Sequence, residues 1–145
     1  MNPQVIPVVI TQPEYEKARD TFCADPDIDL TVVEPAEERV ADAIAHHNAF
    51  AVIVGTEIYA GPLYHALPPG GVIARFGVGH DGVDKDQASA RGLFVTNTPG
   101  VLDDAVVEHT LALMLAASKY LCHHQANVKN GAWEQCLSRQ LGGAN

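Results

Sequence analysis

Apolar runs alternate along this chain with segments whose apolar positions recur every three or four residues. Five runs have the length and β-branched content of strands, at residues 5–10, 28–33, 50–54, 72–76 and 93–96. Between them lie segments with helical spacing, such as residues 35–47, where Val40, Ala43, Ile44 and His47 fall on one side. Because strands that alternate with helices form parallel sheets, the pattern predicts an α/β fold.

Capping and turn residues mark the element boundaries. Thr11, Pro13 and Glu14 supply a cap, an early proline and a capping-box acid, which predict a helix that ends at about Cys23. A second capping box begins at Asp84, and a short helix opening at residues 61–63 ends before the Pro-Pro-Gly-Gly at 68–71. The clearer alternation of residues 28–33 places that strand at an edge. Five strands and four intervening helices predict a flavodoxin-like doubly wound sheet, whose ligands sit beyond the carboxyl ends of the strands.

A long helix is predicted after the last strand, from residue 103 or 104 to about residue 126. Its middle, between Leu111 and Ala117, is apolar on all sides, and a helix without a polar stripe must be covered on several sides. One small domain offers few elements to cover it. We therefore expect the chain to self-associate through this helix, most simply as a symmetric homodimer.

The run Arg75-Phe76-Gly77-Val78-Gly79-His80-Asp81-Gly82 contains a G-x-G-x-x-G spacing beyond the fourth predicted strand. It is open to three interpretations: a dinucleotide fingerprint, a tight turn, or a loop whose main-chain N–H groups bind an anion. A dinucleotide fingerprint places its third glycine in a long helix and an acid about 20 residues later. Here Asn97 stands where the acid belongs. The anion-binding loop is favoured, because glycines leave main-chain amides open to a carboxylate.

The 41 residues from Arg75 to Leu115 resemble the signature of the D-isomer-specific 2-hydroxyacid dehydrogenase family, in the part contributed by a phosphoglycerate dehydrogenase-like substrate domain. The resemblance covers the glycine run, the Asn-Thr-Pro-Gly that starts at Asn97, and the Val-Glu-His that starts at Val107. Two positions depart from the family pattern. The family usually has Asn where this chain has Gly82, and a small residue where it has Val107.

The resemblance implies an NAD- or NADP-dependent oxidoreductase that acts on the CH–OH group of a small 2-hydroxy acid. The main-chain amides of Val78 and Gly79 would hold the substrate carboxylate, and His80 and Asn97 would contact or orient the substrate. Val106 and Val107 would lie near the nicotinamide.

The resemblance also assigns residues 1–100 to the substrate domain and residues 101–145 to a crossover helix and the start of an NAD-binding domain. The family's dinucleotide fingerprint and its catalytic Arg, Glu and His are expected outside these 145 residues. No catalytic residue is therefore expected in the chain, and we expect it to be inactive alone.

Composition narrows the class of partner. With 9 Lys and Arg against 18 Asp and Glu, the net charge is −9, which argues against nucleic acid and against a membrane surface. No long apolar span or signal peptide is recognisable, so a cytoplasmic location is expected. Three widely spaced cysteines indicate reduced thiols. The adjacent histidines at 46–47 and 123–124 point about 100° apart on a helix, so no metal site is expected.

One alternative comes from another functional class. The chain could be a non-catalytic flavodoxin-like module that binds a small carboxylate or pairs with a partner through its apolar helix. A dehydrogenase and such a module differ in whether a cofactor domain accompanies these residues.

Overall fold

The computed structural model describes residues 5–142, and the chain divides into two compact units, Met1–Val101 and Leu102–Asn145. The first unit contains a five-stranded parallel sheet in the order β2-β1-β3-β4-β5. Its strands are β1 (Ile6–Thr11), β2 (Ile28–Val33), β3 (Ala51–Val54), β4 (Val72–Arg75) and β5 (Phe94–Thr96). This is the flavodoxin-like order, so the predicted fold class is confirmed, with β2 at an edge as predicted.

Five helices connect these strands: α1 (Gln12–Lys17), α2 (Arg19–Cys23), α3 (Glu37–His47), α4 (Pro62–Ala66) and α5 (Lys85–Ala90). The prediction of one helix up to Cys23 is wrong, because the chain leaves helical geometry at Ala18 (φ −143°, ψ 35°). The predicted side-chain cap at Thr11 is also not formed. Its hydroxyl donates to the Glu14 carboxylate rather than accepting from a main-chain N–H.

The core lies against one face of the sheet. Val52 and Val54 of β3 and Ile73 of β4 are fully buried, and they pack with apolar residues of α3 and α4 such as Ile44 and Leu63. Alternate residues of a strand point to opposite faces, which is why Val52 and Val54 share this face. This packing fixes β3 and β4, beyond whose carboxyl ends the ligands of such sheets bind.

The second unit contains α6 (Asp103–Ser118) and α7 (Leu121–Lys129). The prediction of one continuous helix to about residue 126 is wrong. Tyr120 adopts a left-handed conformation (φ 51°, ψ 39°), which a right-handed helix cannot contain, and the two helices are bent by 61°. No residue of α6 is buried. Among residues 5–142 no single helix is long and apolar enough to span a membrane; α6 and α7 reach that length and composition only as a bent pair.

Candidate functional site

The glycine run forms the loop after β4, at the carboxyl edge of the sheet, and we call residues 76–83 the glycine loop. Its first residues are tied to neighbouring strands. The N–H of Phe76 donates to the Val54 carbonyl at 2.9 Å, and the N–H of Thr98, just beyond β5, donates to the Gly77 carbonyl at 3.0 Å. Because parallel strands end at the same edge, the loop and Asn97 lie side by side.

Asn97 fixes the orientation of the peptide that follows Val78. Its side-chain amide nitrogen donates to the Val78 carbonyl oxygen at 2.7 Å. The N–H groups of Val78 and Gly79 have no hydrogen-bond acceptor among residues 5–142. A Cβ built on Gly79 would meet no atom within 4 Å, so the space beside that residue is open. The loop therefore presents two successive main-chain donors with room beside them.

Arg75 places a positive charge at the start of the loop. Its guanidinium folds over Gly77 and donates to the Phe76 carbonyl oxygen. The φ of Gly77 is +142°, a conformation that strains any other residue whatever the space beside it. Within the described residues, Arg75 forms no ion pair with a carboxylate. Its charge is therefore free to attract an anion to the loop.

Gly82 is a close-approach glycine at the other end of the loop. A Cβ at this position would lie only 2.2 Å from the main-chain oxygen of Glu57, in the connection between β3 and α4. The same connection pairs with the loop through the Tyr59 N–H, which donates to the Gly82 carbonyl at 2.8 Å. The departure from the family's Asn thus coincides with a backbone contact that leaves no room for a side chain.

The end of the glycine loop differs from a dinucleotide fingerprint. Asp84 accepts hydrogen bonds from the main-chain N–H groups of Asp86 and Gln87, both at 3.0 Å, and the bond from Gln87 holds the Asp84 pKa below its usual value. The predicted Asp84 cap is confirmed. Because a carboxylate of the chain already occupies the start of α5, and α5 has only six residues, this end of the helix is not open to a pyrophosphate.

His80 lies partly buried in the glycine loop, and its Nδ1 atom is 3.1 Å from the Lys85 ammonium nitrogen. An ammonium group can only donate, so Nδ1 accepts this hydrogen bond and the ring of a neutral His80 carries its proton on Nε2. That assignment leaves one N–H donor on the ring for a ligand.

The predicted site residues fall into two sets. Val78, Gly79, His80 and Asn97 lie in the first compact unit and share the glycine loop and its neighbouring strand end. Val106 and Val107 belong to the second unit, near the start of α6, where their exposed fractions are 59% and 56%. Residues 5–142 contain no group of three or more His, Cys, Asp or Glu side chains that could hold a metal ion.

Two residues of the site were not identified from the sequence. Arg75 is the first residue of the glycine run and directly precedes the glycine loop, so its position was a usable signal. Tyr64, whose hydroxyl accepts a hydrogen bond from the Asp84 N–H at 2.7 Å, lies 20 residues away in sequence. Nothing in the local pattern of α4 indicates that contact.

Residues 8–140 match the protein family described as D-isomer specific 2-hydroxyacid dehydrogenase, catalytic domain. Over 101 residues the chain is 34% identical to a glyoxylate reductase of Thermofilum pendens and 36% identical to a D-3-phosphoglycerate dehydrogenase of Mycobacterium bovis. Each match covers 70% of this chain, but only 30% of the first relative and 19% of the second. The chain therefore spans less than a third of the length of these relatives.

Solved structures give the same picture. A dehydrogenase from Rhizobium meliloti is 29% identical, with a TM-score of 0.65 over 88% of this chain and 46% of its own. The pyruvate reductase of Chlamydomonas reinhardtii has a TM-score of 0.70 at 17% identity, over 95% of this chain and 43% of its own. A 3-phosphoglycerate dehydrogenase of Entamoeba histolytica, with a TM-score of 0.64 at 18% identity over 94% of this chain and 43% of its own, was solved with NAD⁺ bound. At these lower identities the likeness shows the fold.

Proposed function

The chain belongs to the D-isomer-specific 2-hydroxyacid dehydrogenase family, and from this membership we propose that it supplies the substrate-domain part of an NAD- or NADP-dependent oxidoreductase. The reaction is hydride transfer between a nicotinamide and C2 of a small 2-hydroxy or 2-oxo acid. In this proposal residues 1–100 are the substrate domain, and residues 101–145 are a crossover helix and the start of the cofactor domain. The names of the relatives, glyoxylate reductase and D-3-phosphoglycerate dehydrogenase, support this class of reaction.

One observation carries the proposed substrate role: the two unpaired main-chain N–H groups of Val78 and Gly79. Adjacent amides without internal partners form a site for a carboxylate oxygen. The Asn97 side-chain amide donates a hydrogen bond to the Val78 carbonyl oxygen, so this oxygen points toward Asn97. The Arg75 guanidinium adds attraction without contacting the open side of Gly79.

The remaining residues have orienting roles. The His80 Nε2–H is a donor to an oxygen of the bound acid, and Asn97 acts through Val78 on the position of the carboxylate. Val106 and Val107 give α6 exposed apolar surface of the kind that packs against a nicotinamide ring. When bound, the nicotinamide supplies or accepts the hydride, while the protein binds and orients the acid.

Exposed residues on α6 support the proposed self-association. Leu111, Leu113, Met114 and Leu115 are each about half exposed, and successive positions of a helix point in different directions. Apolar surface that surrounds a helix requires a partner. We assign that partner to a second copy of the chain, in a symmetric homodimer.

The test of the carboxylate loop is Gly79→Val in the complete enzyme. The added side chain enters space that is open in the fold, so it should block the approach of a carboxylate without unfolding the domain. We expect the Michaelis constant for the 2-oxo acid to rise far more than that for the cofactor. Gly79→Ala should give a smaller rise in the same direction. Substrate kinetics that stay unchanged in both variants would reduce the loop to a structural turn.

A further inference from the structure

Tyr64 connects the glycine loop to the segment between β3 and α4. The residue lies on α4 and is fully buried. Its hydroxyl donates to the Tyr59 carbonyl oxygen at 2.8 Å and accepts from the Asp84 N–H at 2.7 Å. One side-chain oxygen therefore joins the main chain at Tyr59 to the main chain at Asp84.

The hydrogen bond from the Tyr64 hydroxyl to the Tyr59 carbonyl depends on a neutral phenol. Burial raises the Tyr64 pKa, so the hydroxyl keeps its proton and remains both donor and acceptor. A phenylalanine at this position would preserve the packing and remove both bonds. The Tyr59 carbonyl, in a buried residue, and the partly buried Asp84 N–H would then lack their partner.

The bridge completes one side of a frame around the carboxylate-binding amides. On one side, Asn97 and Thr98 hold the carbonyls of Val78 and Gly77. On the other side, the Tyr59 N–H holds the Gly82 carbonyl, and the Tyr64 hydroxyl binds both Tyr59 and Asp84, the residue that directly follows the loop. Val78 and Gly79 lie between these two fixed sides.

Hydrogen bonds to Glu37 hold the start of α4, and this fixes the position of Tyr64. The Glu37 carboxylate accepts from the main-chain N–H groups of Ala60 at 3.1 Å, Gly61 at 2.8 Å and Leu63 at 3.3 Å. A second link, Gln87 Nε2, donates at 3.0 Å both to the Ala60 carbonyl and to Asp84 Oδ2. Beside the main-chain bond from Tyr59 to Gly82, the junction therefore has two side-chain links, a buried one through Tyr64 and a more exposed one through Gln87.

We propose that Tyr64 is a positioning residue for the carboxylate site: its hydroxyl holds the far end of the glycine loop so that the Val78 and Gly79 amides are ordered before the acid binds. This inference rests on the proposed function of the loop. Without the hydroxyl, part of the binding free energy must go into ordering the loop, and affinity falls accordingly.

The test compares Tyr64→Phe with the unchanged 145-residue chain, using oxamate as an unreactive analogue of a 2-oxo acid. Titration followed by NMR reports on the Val78 and Gly79 amides directly. We expect those amides to shift in both proteins and the Kd of Tyr64→Phe to be about five- to tenfold higher, because the ordering cost is carried into the affinity. Tyr15→Phe is the matched control, since it removes a tyrosine hydroxyl whose hydrogen-bond partner is Cys23 and not a residue of the glycine loop. Its Kd should not change.

The outcomes separate the two ideas. If oxamate fails to shift the Val78 and Gly79 amides of the unchanged chain, the proposal that the glycine loop binds a carboxylate is wrong. If it binds there and Tyr64→Phe binds equally well, only the role of Tyr64 is wrong. Should Tyr64→Phe not fold, Gln87→Leu tests the exposed link of the same junction with the core intact. A two- to threefold rise in Kd is expected, by the same ordering argument, and an unchanged Kd overturns the inference.

Discussion

Replacing Gly82 by alanine should destabilise this chain strongly, whereas the same change at Gly79 should not. The ideal Cβ at residue 82 would lie 2.2 Å from the Glu57 oxygen, 3.1 Å from its carbonyl carbon and 3.3 Å from the Thr56 oxygen. All three are main-chain atoms, which cannot rotate away as a side chain can. Relief therefore requires the connection between β3 and α4 to move by about 1 Å, the shortfall from an ordinary carbon–oxygen contact.

The cost can be estimated from the contacts that this movement breaks. Overpacking of this kind costs about 1–3 kcal/mol. The hydrogen bond from the Tyr59 N–H to the Gly82 carbonyl, which joins the same two segments, contributes about 0.5–1.5 kcal/mol more if it is lost. We therefore expect Gly82→Ala to lower the free energy of unfolding by about 2–4 kcal/mol. Asparagine, the usual family residue, should cost at least as much in this chain.

Urea denaturation of the three chains measures the effect. Gly79→Ala should stay within about 0.5 kcal/mol of the unchanged protein, because its Cβ meets nothing within 4 Å and the φ of Gly79 is not positive. The m-values should agree, so that midpoints can be compared directly. A Gly82→Ala chain as stable as the Gly79→Ala chain would refute the close approach at Glu57.

Three further predictions concern other parts of the molecule. Burial favours a raised Glu14 pKa, but the hydrogen bonds from Lys17 and Thr11 outweigh it and hold the pKa below 4.5. The stability that this carboxylate contributes is therefore present above pH 4.5 and is lost as the pH falls through the folded-state pKa. Lys17→Met should therefore cost about 0.5–1 kcal/mol at pH 7, a small value because Lys17 is 58% exposed, and less at pH 3; an equal cost at both pH values in urea titrations would contradict the ion pair. A polypeptide of only these 145 residues should show no dehydrogenase activity and bind NAD weakly or not at all in calorimetry, and a low-micromolar Kd would restore the dinucleotide interpretation of the glycine loop. The unchanged chain should sediment as a dimer and the double variant Leu113→Glu, Leu115→Glu as a monomer, whereas a well-folded monomer of the unchanged chain at tens of micromolar would refute self-association.

The sheet could be predicted because its strands are strongly specified locally. Runs rich in valine and isoleucine become the interior strands β3 and β4, in which Val52 and Ile73 are fully buried. The Asp84 cap was likewise predictable, because a carboxylate three residues before a glutamine is a local signal. These features need no information from distant parts of the chain.

The breaks in the helices could not be predicted in this way. Tyr120 adopts φ 51°, although residues other than Gly, Asn and Asp rarely do so. At the break near Ala18, residues 17–19 contain no glycine or proline that would indicate it. The two hydrogen bonds of the Tyr64 hydroxyl could not be predicted for a different reason. Its two partners are set by how α4 and the glycine loop pack, and no periodicity within α4 encodes that contact.

The three glycines of the G-x-G-x-x-G spacing are equivalent in the sequence but have different physical reasons in the structure. Gly77 is required by its positive φ, and Gly82 by the Glu57 carbonyl. Gly79 is required by neither conformation nor packing within residues 5–142. Its missing side chain leaves space only outside the fold, beside two unpaired N–H groups. Under the proposed function, a carboxylate that approaches those amides is the physical reason for glycine at this position, and the Arg75 charge adds attraction for that anion.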